Sequence, residues 1–452
     1  MLILMCIATL FFFSSCTKDI QLSDSRPVSN YQADVVIDWG IVFLDVERYA
    51  SGYRPGPAPR AMAYIGLAAY QASVAGMPQY QSLENEFPGL DLPAPDPQEV
   101  LHWPSVVHGV YATMMPLFFP HVPIQLATEI SLLTQQLKER FQVEAGIDQF
   151  DRSFAFGAAV AQAMWEWSKT DPYGHDAYQD PFGTYDWQAA YDGPGDWQPT
   201  LPGPGRPLFP FWGQVRTFSL TSSEKLCLPP LPFSESPFSS WYAQALEVYA
   251  QSNSINPYLR EWIGEFWSDD LLNLTFSPGP RWLAIAIQVL EEENADLQQA
   301  IVTTAKLGVA LHDANVACWH SKYVYNVERP ESYIQRVIDP NWDTNLSNPL
   351  TGDEGISPSF PAYPSGHSTM GAAAAEILGQ EFGYGYAMVD QCHANRTEFN
   401  GTPRSFNSFY DMALENAWSR VLLGVHFRMD SDEGVRFGTA IGRSVNRLPW
   451  RR

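Results

Sequence analysis

The chain has 452 residues, 45% of them hydrophobic and 14% aromatic, enough apolar side chain for one large domain or two modest ones with a sizeable core. It carries 27 basic and 50 acidic residues, a formal net charge of −23. Such a surface repels nucleic acid and anionic lipid, which excludes a polyanion-binding role and makes any anion site a local basic pocket in an acidic protein.

Met1 to Cys16 is an apolar run that ends in small residues and a cysteine. It resembles a bacterial lipoprotein signal with Cys16 as the lipidated first mature residue, followed by a polar tether over 17–33. The other reading is an ordinary signal peptide cut near Ser15. The run is too short to span a bilayer, and no other stretch is long and apolar enough. The expectation is an exported protein, periplasmic or an outer-membrane lipoprotein, that meets the membrane only through a lipid anchor. Beyond this segment lie Cys227, Cys318 and Cys392, too scattered to imply a disulfide framework, and no spacing suggests zinc or iron–sulfur chemistry.

Residues 34–452 read as a single all-α domain, a helical bundle. Val35–Tyr49 has apolar residues at helical spacing, and Pro59–Ala72 is Ala-rich with proline near its start. Helical patterns follow around 100–116, 123–142, 149–169, 238–252, 257–268, 281–293, 296–318, 367–381, 411–424 and 433–447. Between them, residues 171–236 are dense in Pro, Gly, Trp, Tyr and Phe. Loops this long inside a domain are functional or disordered as a rule, and the aromatic content argues for order. The segment is expected to be a packed excursion that walls the site. A second Pro/Gly-rich stretch, 336–366, leads into the strongest motif.

That motif is Pro364-Ser365-Gly366-His367, opening directly into an Ala-rich helix. The first amides of a helix lack internal acceptors, and its dipole favours an anion there. Gly366 lets a ligand oxygen approach the backbone, Ser365 adds a hydroxyl, and His367 is placed for proton transfer. Alone, the same residues describe a capped helix start equally well. The second is Lys322-x6-Arg329-Pro330, at the end of a helical pattern that begins near Leu297. Pro330 keeps Arg329 out of helix, so a Lys and an Arg are presented together. Ordinary charge complementing a helix C-terminus explains Lys322 well and Arg329 less well. The third is Ser419-Arg420-x5-His426, in an apolar neighbourhood that predicts burial. A buried arginine needs an anionic partner, which can be a structural acid or a ligand. Asp430, four residues after His426, shares its face if helical and can fix the imidazole tautomer. Together the three supply what one tetrahedral oxyanion requires: cations, neutral donors, a ligand or nucleophilic nitrogen, and an acid/base.

The set Lys-x6-Arg-Pro, Pro-Ser-Gly-His and Ser-Arg-x5-His resembles, in order, the three motifs of the vanadium haloperoxidase and type 2 phosphatidic-acid phosphatase superfamily. The motif region, within 319–430, lies in the last third of the chain. The resemblance implies vanadate as cofactor, with His426 as axial vanadium ligand. Lys322, Arg329, Arg420, Ser365 and the Gly366 amide would hold the vanadate oxygens. His367 would take a proton from hydrogen peroxide, and Lys322 would polarise it for attack by halide, giving hypohalous acid. The partners are then hydrogen peroxide and iodide or bromide, with a small organic acceptor allowed and no nucleic acid. In the phosphatases the same pocket binds a phosphoryl group, with His426 as nucleophile and His367 as acid. Trp319 and Phe360 resemble aromatics lining the halide side of the pocket in some of the peroxidases, which favours peroxidase over a soluble acid phosphatase using a phosphohistidine; core packing is the plainer account of both. A silent binding protein would not need both imidazoles. His312 and Asp313 read as core or helix-surface residues, His320 as a candidate for tuning halide preference, and His102, His108, His121, His175 and His393 as structural.

Overall fold

In the computed structural model, the structure describes residues 25–253 and 257–452. The segment 1–24, with the expected signal and Cys16, lies outside the described residues. The architecture is mostly helical, as the periodicity requires. In chain order the helices are α1 (Asp34–Tyr49), α2 (Pro57–Ser73), α3 (Trp103–Phe118), α4 (Ile124–Ala145), α5 (Ile147–Ser168), a short α6 (Trp187–Ala190), α7 (Ser240–Ser252), α8 (Pro257–Phe266), α9 (Pro280–Glu292), α10 (Leu297–Tyr325), α11 (Pro330–Val337), α12 (Gly366–Phe382), α13 (Phe409–Leu422) and α14 (Arg428–Asn446). One antiparallel hairpin, β1 (Met388–Asp390) with β2 (Arg404–Phe406), pairs Met388 with Phe406.

Helix α10 is the axis of the molecule. Its residues from Ala300 to Trp319 are buried all round, the condition of a helix enclosed by others rather than amphipathic at a surface. It packs on α2 and on α12. Close approach to α2 depends on Gly308, where an added Cβ would stand 2.7 Å from the Met62 carbonyl oxygen. The helix runs to Tyr325, past the periodic stretch 296–318, with Lys322 in its last turn as its motif position implied, and Asn326 closes it in the left-handed region at φ 49°. Arg329 then caps α11 in extended backbone, with Pro330 at the first helical position.

The second seam runs between α12 and α14. The Ala372–Ala375 run of α12 is buried. Gly434, Gly438 and Gly442 face it from α14; a Cβ on Gly438 would lie 2.0 Å from the Thr369 carbonyl oxygen. The two helices therefore approach backbone to backbone and bring their N-termini side by side. The Ser365 amide donates to the Asp430 carbonyl at 2.9 Å across that junction.

The 171–236 excursion packs as expected for an ordered segment. Trp197, Phe209 and Trp212 are buried, and Phe209, Trp212 and Val215 form one apolar cluster with Val316, Cys318 and Trp319 near the end of α10. Asp313 is buried and accepts from the Phe218 and Ser219 amides and the Ser219 hydroxyl, and His312 meets the Arg216 carbonyl at 2.8 Å. Both are core residues that tie the excursion to α10. His320 packs against Gly213 of the excursion and is not among the residues that line the cavity described next.

Candidate active site

The starts of α12 and α14 and the ends of α10 and α13 converge on a cavity of about 220 Å³. Trp319, Phe360, Gly366, His367, Arg420 and His426 all line it. Most of the remaining wall is apolar, from Pro55, Pro204, Leu208, Leu271, Pro278, Leu346 and Ile356. Trp319 and Phe360 stand with ring centroids 4.8 Å apart, and the Lys322 ammonium lies 5.7 and 5.2 Å from the two rings.

His426 follows the last turn of α13 through the left-handed Gly424. Its Nδ1 meets Asp430 Oδ2 at 2.9 Å, and the same oxygen accepts from the Phe427 amide at 3.0 Å. Arg329 Nη1 approaches His426 Nε2 at 3.2 Å. His426 lies in the bend before α14, so the two residues do not share a helical face; Asp430 reaches back to the ring from the first turn of α14 instead. With Nδ1 directed at a carboxylate, the lone pair of a neutral ring is left on Nε2, on the cavity side. Burial first, then the charges of Arg329 and Lys322, hold the imidazole well below its ordinary value, so it stays neutral. Burial raises the Asp430 carboxyl, while Lys322 and its amide donor pull the other way.

Arg329 donates from Nε to the Phe360 carbonyl at 3.0 Å and from Nη1 to the Val425 carbonyl at 2.7 Å, leaving Nη2 buried and without an acceptor. Lys322 sits behind this layer. Its Nζ donates to the Pro361 and Ala362 carbonyls at 2.8 and 2.7 Å, and it is not among the cavity-lining residues. Burial, and then Arg329 among the neighbouring cations, lower the Lys322 amine, opposed by Cys318 and Asp430. Burial likewise lowers Arg329 to about 10.

Arg420 donates from Nη2 to Asp270 Oδ2 at 2.6 Å; its Nε and Nη1 are buried without acceptors. His367, in the first turn of α12, has Nε2 buried without a hydrogen-bond partner, 3.8 Å from Asp270 Oδ1. Burial, then Arg420, push its imidazole down to about 4, opposed by Asp270 and Asp269. Ser365 caps α12, its hydroxyl accepting from the Ser368 amide at a long 3.4 Å. Gly366 lies under Trp319, where a Cβ would come within 3.3 Å of the indole.

Asp270 is a charged cavity residue that lies outside the motifs. Burial alone would raise its carboxyl, but Arg420 and His367 outweigh that and hold it below its ordinary value. Beside it, Asp269 is buried in a network of its own. His393 Nε2 meets Asp269 Oδ1 at 3.2 Å, Arg281 Nε lies 4.0 Å from Oδ2, and Arg281 Nη2 donates to Asp390 at 2.7 Å. The loop carrying both acids is further tied down by Arg54, which donates to the Leu271 and Thr275 carbonyls and faces Glu47 at 3.3 Å. A buried Arg420 needs an acid or a ligand beside it. Asp270 satisfies one of its nitrogens, and two remain directed elsewhere.

The cavity tests well against a tetrahedral oxyanion. Buried N–H groups of Arg329 and Arg420 and the His367 ring nitrogen lack partners, and unpaired buried cationic donors are costly. They converge with the N-terminus of α12, where backbone amides favour a negative group.

Comparison with known proteins bears on what such a pocket belongs to. Residues 302–449 match the family model for the VCPO second helical-bundle domain. The chain is 25% identical over 489 aligned residues to the vanadium chloroperoxidase of Curvularia inaequalis, covering 89% of this chain and 80% of that one. The structure of a bacterial vanadium-dependent iodoperoxidase superposes with a TM-score of 0.80 at 27% identity, covering 94% of this chain and 98% of the other. In sequence and in fold the chain is similar to the vanadium haloperoxidases. Two further similarities are looser. A vanadium-dependent bromoperoxidase of Ascophyllum nodosum is 30% identical over 117 residues, 24% of this chain and 21% of that one. A bacterial vanadium-dependent chloroperoxidase shares the fold at a TM-score of 0.60 and 16% identity, covering 88% of this chain and 94% of the other. Of the three motif segments, 364–367 and 419–426 supply lining residues of the cavity, and 322–330 backs it through Arg329, which touches His426.

Proposed function

We propose that this chain oxidises iodide or bromide with hydrogen peroxide to the hypohalous acid, using vanadate held in the cavity. The observation that carries the reading is the convergence of unpartnered Arg329 and Arg420 nitrogens on the His426 Nε2 side of an aromatic-walled pocket. Bound vanadate would supply a Lewis acid that activates hydrogen peroxide toward halide without a change of oxidation state. His426, presented by Asp430 as a neutral imidazole, would hold the vanadate through Nε2. Arg329, Arg420, Ser365 and the Gly366 amide bind and orient the oxyanion, and Lys322 lends positive charge from behind the carbonyls of 361 and 362. His367, neutral when the pocket carries no added anion, accepts the proton that hydrogen peroxide gives up at Nε2. Trp319 and Phe360 exclude water and offer a polarisable wall to a polarisable halide. The preference for iodide or bromide over chloride rests on the similarity to the iodoperoxidase at 27% identity. Through Cys16, the reading extends to an exported lipoprotein anchored by its lipid; incorporation of labelled palmitate that is lost in Cys16→Ala tests it.

The decisive experiment takes purified protein with and without orthovanadate and assays iodide and bromide oxidation alongside p-nitrophenyl phosphate hydrolysis. Vanadate-dependent halide oxidation is expected. No halide oxidation after loading, with phosphate ester hydrolysis that vanadate abolishes, would instead mark a phosphatase working through His426 as nucleophile.

A further inference from the structure

The cavity holds an oxidisable group that the oxidation of halide does not use. Met370 lies on α12, one helical turn beyond His367, and lines the same cavity as Pro55, Pro278 and His367. Its side chain is 1% exposed, so only the cavity gives access to it. The sulfur is 3.6 Å from Asn315 Nδ2, which also donates to the Pro55 carbonyl at 3.4 Å. A Cβ on Gly279 would stand 3.5 Å from the same sulfur. The thioether is thus wedged between α10 and the 278–279 loop on the wall where hypohalous acid would be formed.

We propose that Met370 is a modification site: the hypohalous acid made in the cavity oxidises its thioether to the sulfoxide during turnover. The inference rests on the haloperoxidase reading above, which supplies the oxidant. The sulfur lone pair attacks the halogen of the hypohalous acid, the O–X bond breaks, and hydroxide leaves. Water then adds to the halosulfonium, forming the S–O bond as halide departs with loss of two protons, one of which neutralises the hydroxide. Sulfur gives up two electrons and the halogen receives them. The step converts an apolar, flexible side chain into a polar one carrying an extra oxygen. That oxygen can accept from Asn315 Nδ2, and Gly279, which carries no Cβ, leaves space for it on the other side of the sulfur. The new polar group falls in the first turns of α12, which carry His367, and replaces an apolar contact on the cavity wall. Hypobromous acid is the stronger oxidant of the two candidates, so bromide turnover should modify the residue faster than iodide turnover.

The test uses the full chain loaded with orthovanadate, hydrogen peroxide and either halide, with a phenol as halogen acceptor. Peptide mass spectrometry follows oxygen addition at every methionine. Met429, half-buried and outside the cavity, is the internal control. During bromide turnover Met370 is expected to oxidise at least about fivefold faster than Met429. Hypobromite added from outside without peroxide should reverse that order. Met370→Leu, measured against its own initial rate, should lose activity more slowly. Halogenated phenol forming while Met370 stays unmodified, or while Met429 oxidises first, overturns the proposal. So does equal oxidation of Met370 by peroxide without halide. Absence of any halogenated phenol removes the oxidant and overturns the peroxidase reading, so the product assay tells the two failures apart.

Discussion

Arg420 and Asp270 meet at 2.6 Å on the cavity wall, and the same carboxylate stands 3.8 Å from the His367 ring. One acid therefore orients a cation of the anion pocket and biases its base at once. Removing the charge without the shape separates the two effects. In Asp270→Asn the pocket loses one negative charge near the incoming oxyanion, so orthovanadate should bind roughly threefold to tenfold more tightly. Turnover should fall, because Arg420 and His367 lose their common partner. Equilibrium dialysis beside steady-state rates checks both; weaker vanadate binding would contradict the electrostatic argument.

The same variant has a signature in pH. His367 is held down to about 4, with Asp270 among the groups that raise it. The neutral ring is the proton acceptor, so peroxide utilisation is lost as pH falls through the folded value. Taking away Asp270 lowers that value further, and the acid limb of kcat/KM for hydrogen peroxide should move to lower pH. A limb that moves upward, or one unchanged from wild type, removes Asp270 from the proton chemistry.

His426→Ala should abolish vanadate retention, since it removes the imidazole whose Nε2 lies beside Arg329 at the cavity. Asp430→Ala keeps the ring but frees its tautomer and rotation, and outer partners of this kind are worth about 10–100-fold in metal affinity. Dialysis against vanadate with the bound metal measured directly reads both. Retention at wild-type affinity in His426→Ala would end its assignment as ligand.

Arg281 makes a prediction about stability. It is buried between Asp390 and Asp269, with His393 on the far side of Asp269. Arg281→Met leaves two buried carboxylates without their cation, a loss of about 3–5 kcal/mol in comparable buried pairs. Urea unfolding should show that loss as a lower midpoint. A midpoint within experimental error of wild type would mean that the acids of this network take up protons instead.

The fold class and the superfamily were legible because their signals are local or strictly spaced. Helical periodicity located twelve of the helices to within a few residues, apart from the extra turns of α10. Helix α11 was missed because Pro330–Val337 sits amid Pro/Gly-rich chain and has only a short apolar stripe. Of the motif residues, Gly366, His367, Arg420 and His426 line the cavity while Lys322 and Arg329 stand behind them, and the demand of a buried Arg420 for an acid was visible too. Which acid could not be read, because Asp270 follows α8 in a loop with no motif, one of 50 acidic residues. Lys322 shows the other gap: spacing placed it at a helix end, but only three-dimensional packing directs its ammonium at the carbonyls of 361 and 362.

The glycine seam of α14 limits how this chain can vary. Gly438 touches no group that would meet vanadate, peroxide or halide, yet any larger residue there must force α14 away from Thr369. The junction of Ser365 with Asp430 would open in the same motion, and two imidazoles would drift apart that no mutation had altered. Inactivating substitutions should therefore turn up two helical turns away from the chemistry, in a protein still able to fold, at positions a survey of ligand contacts would pass over.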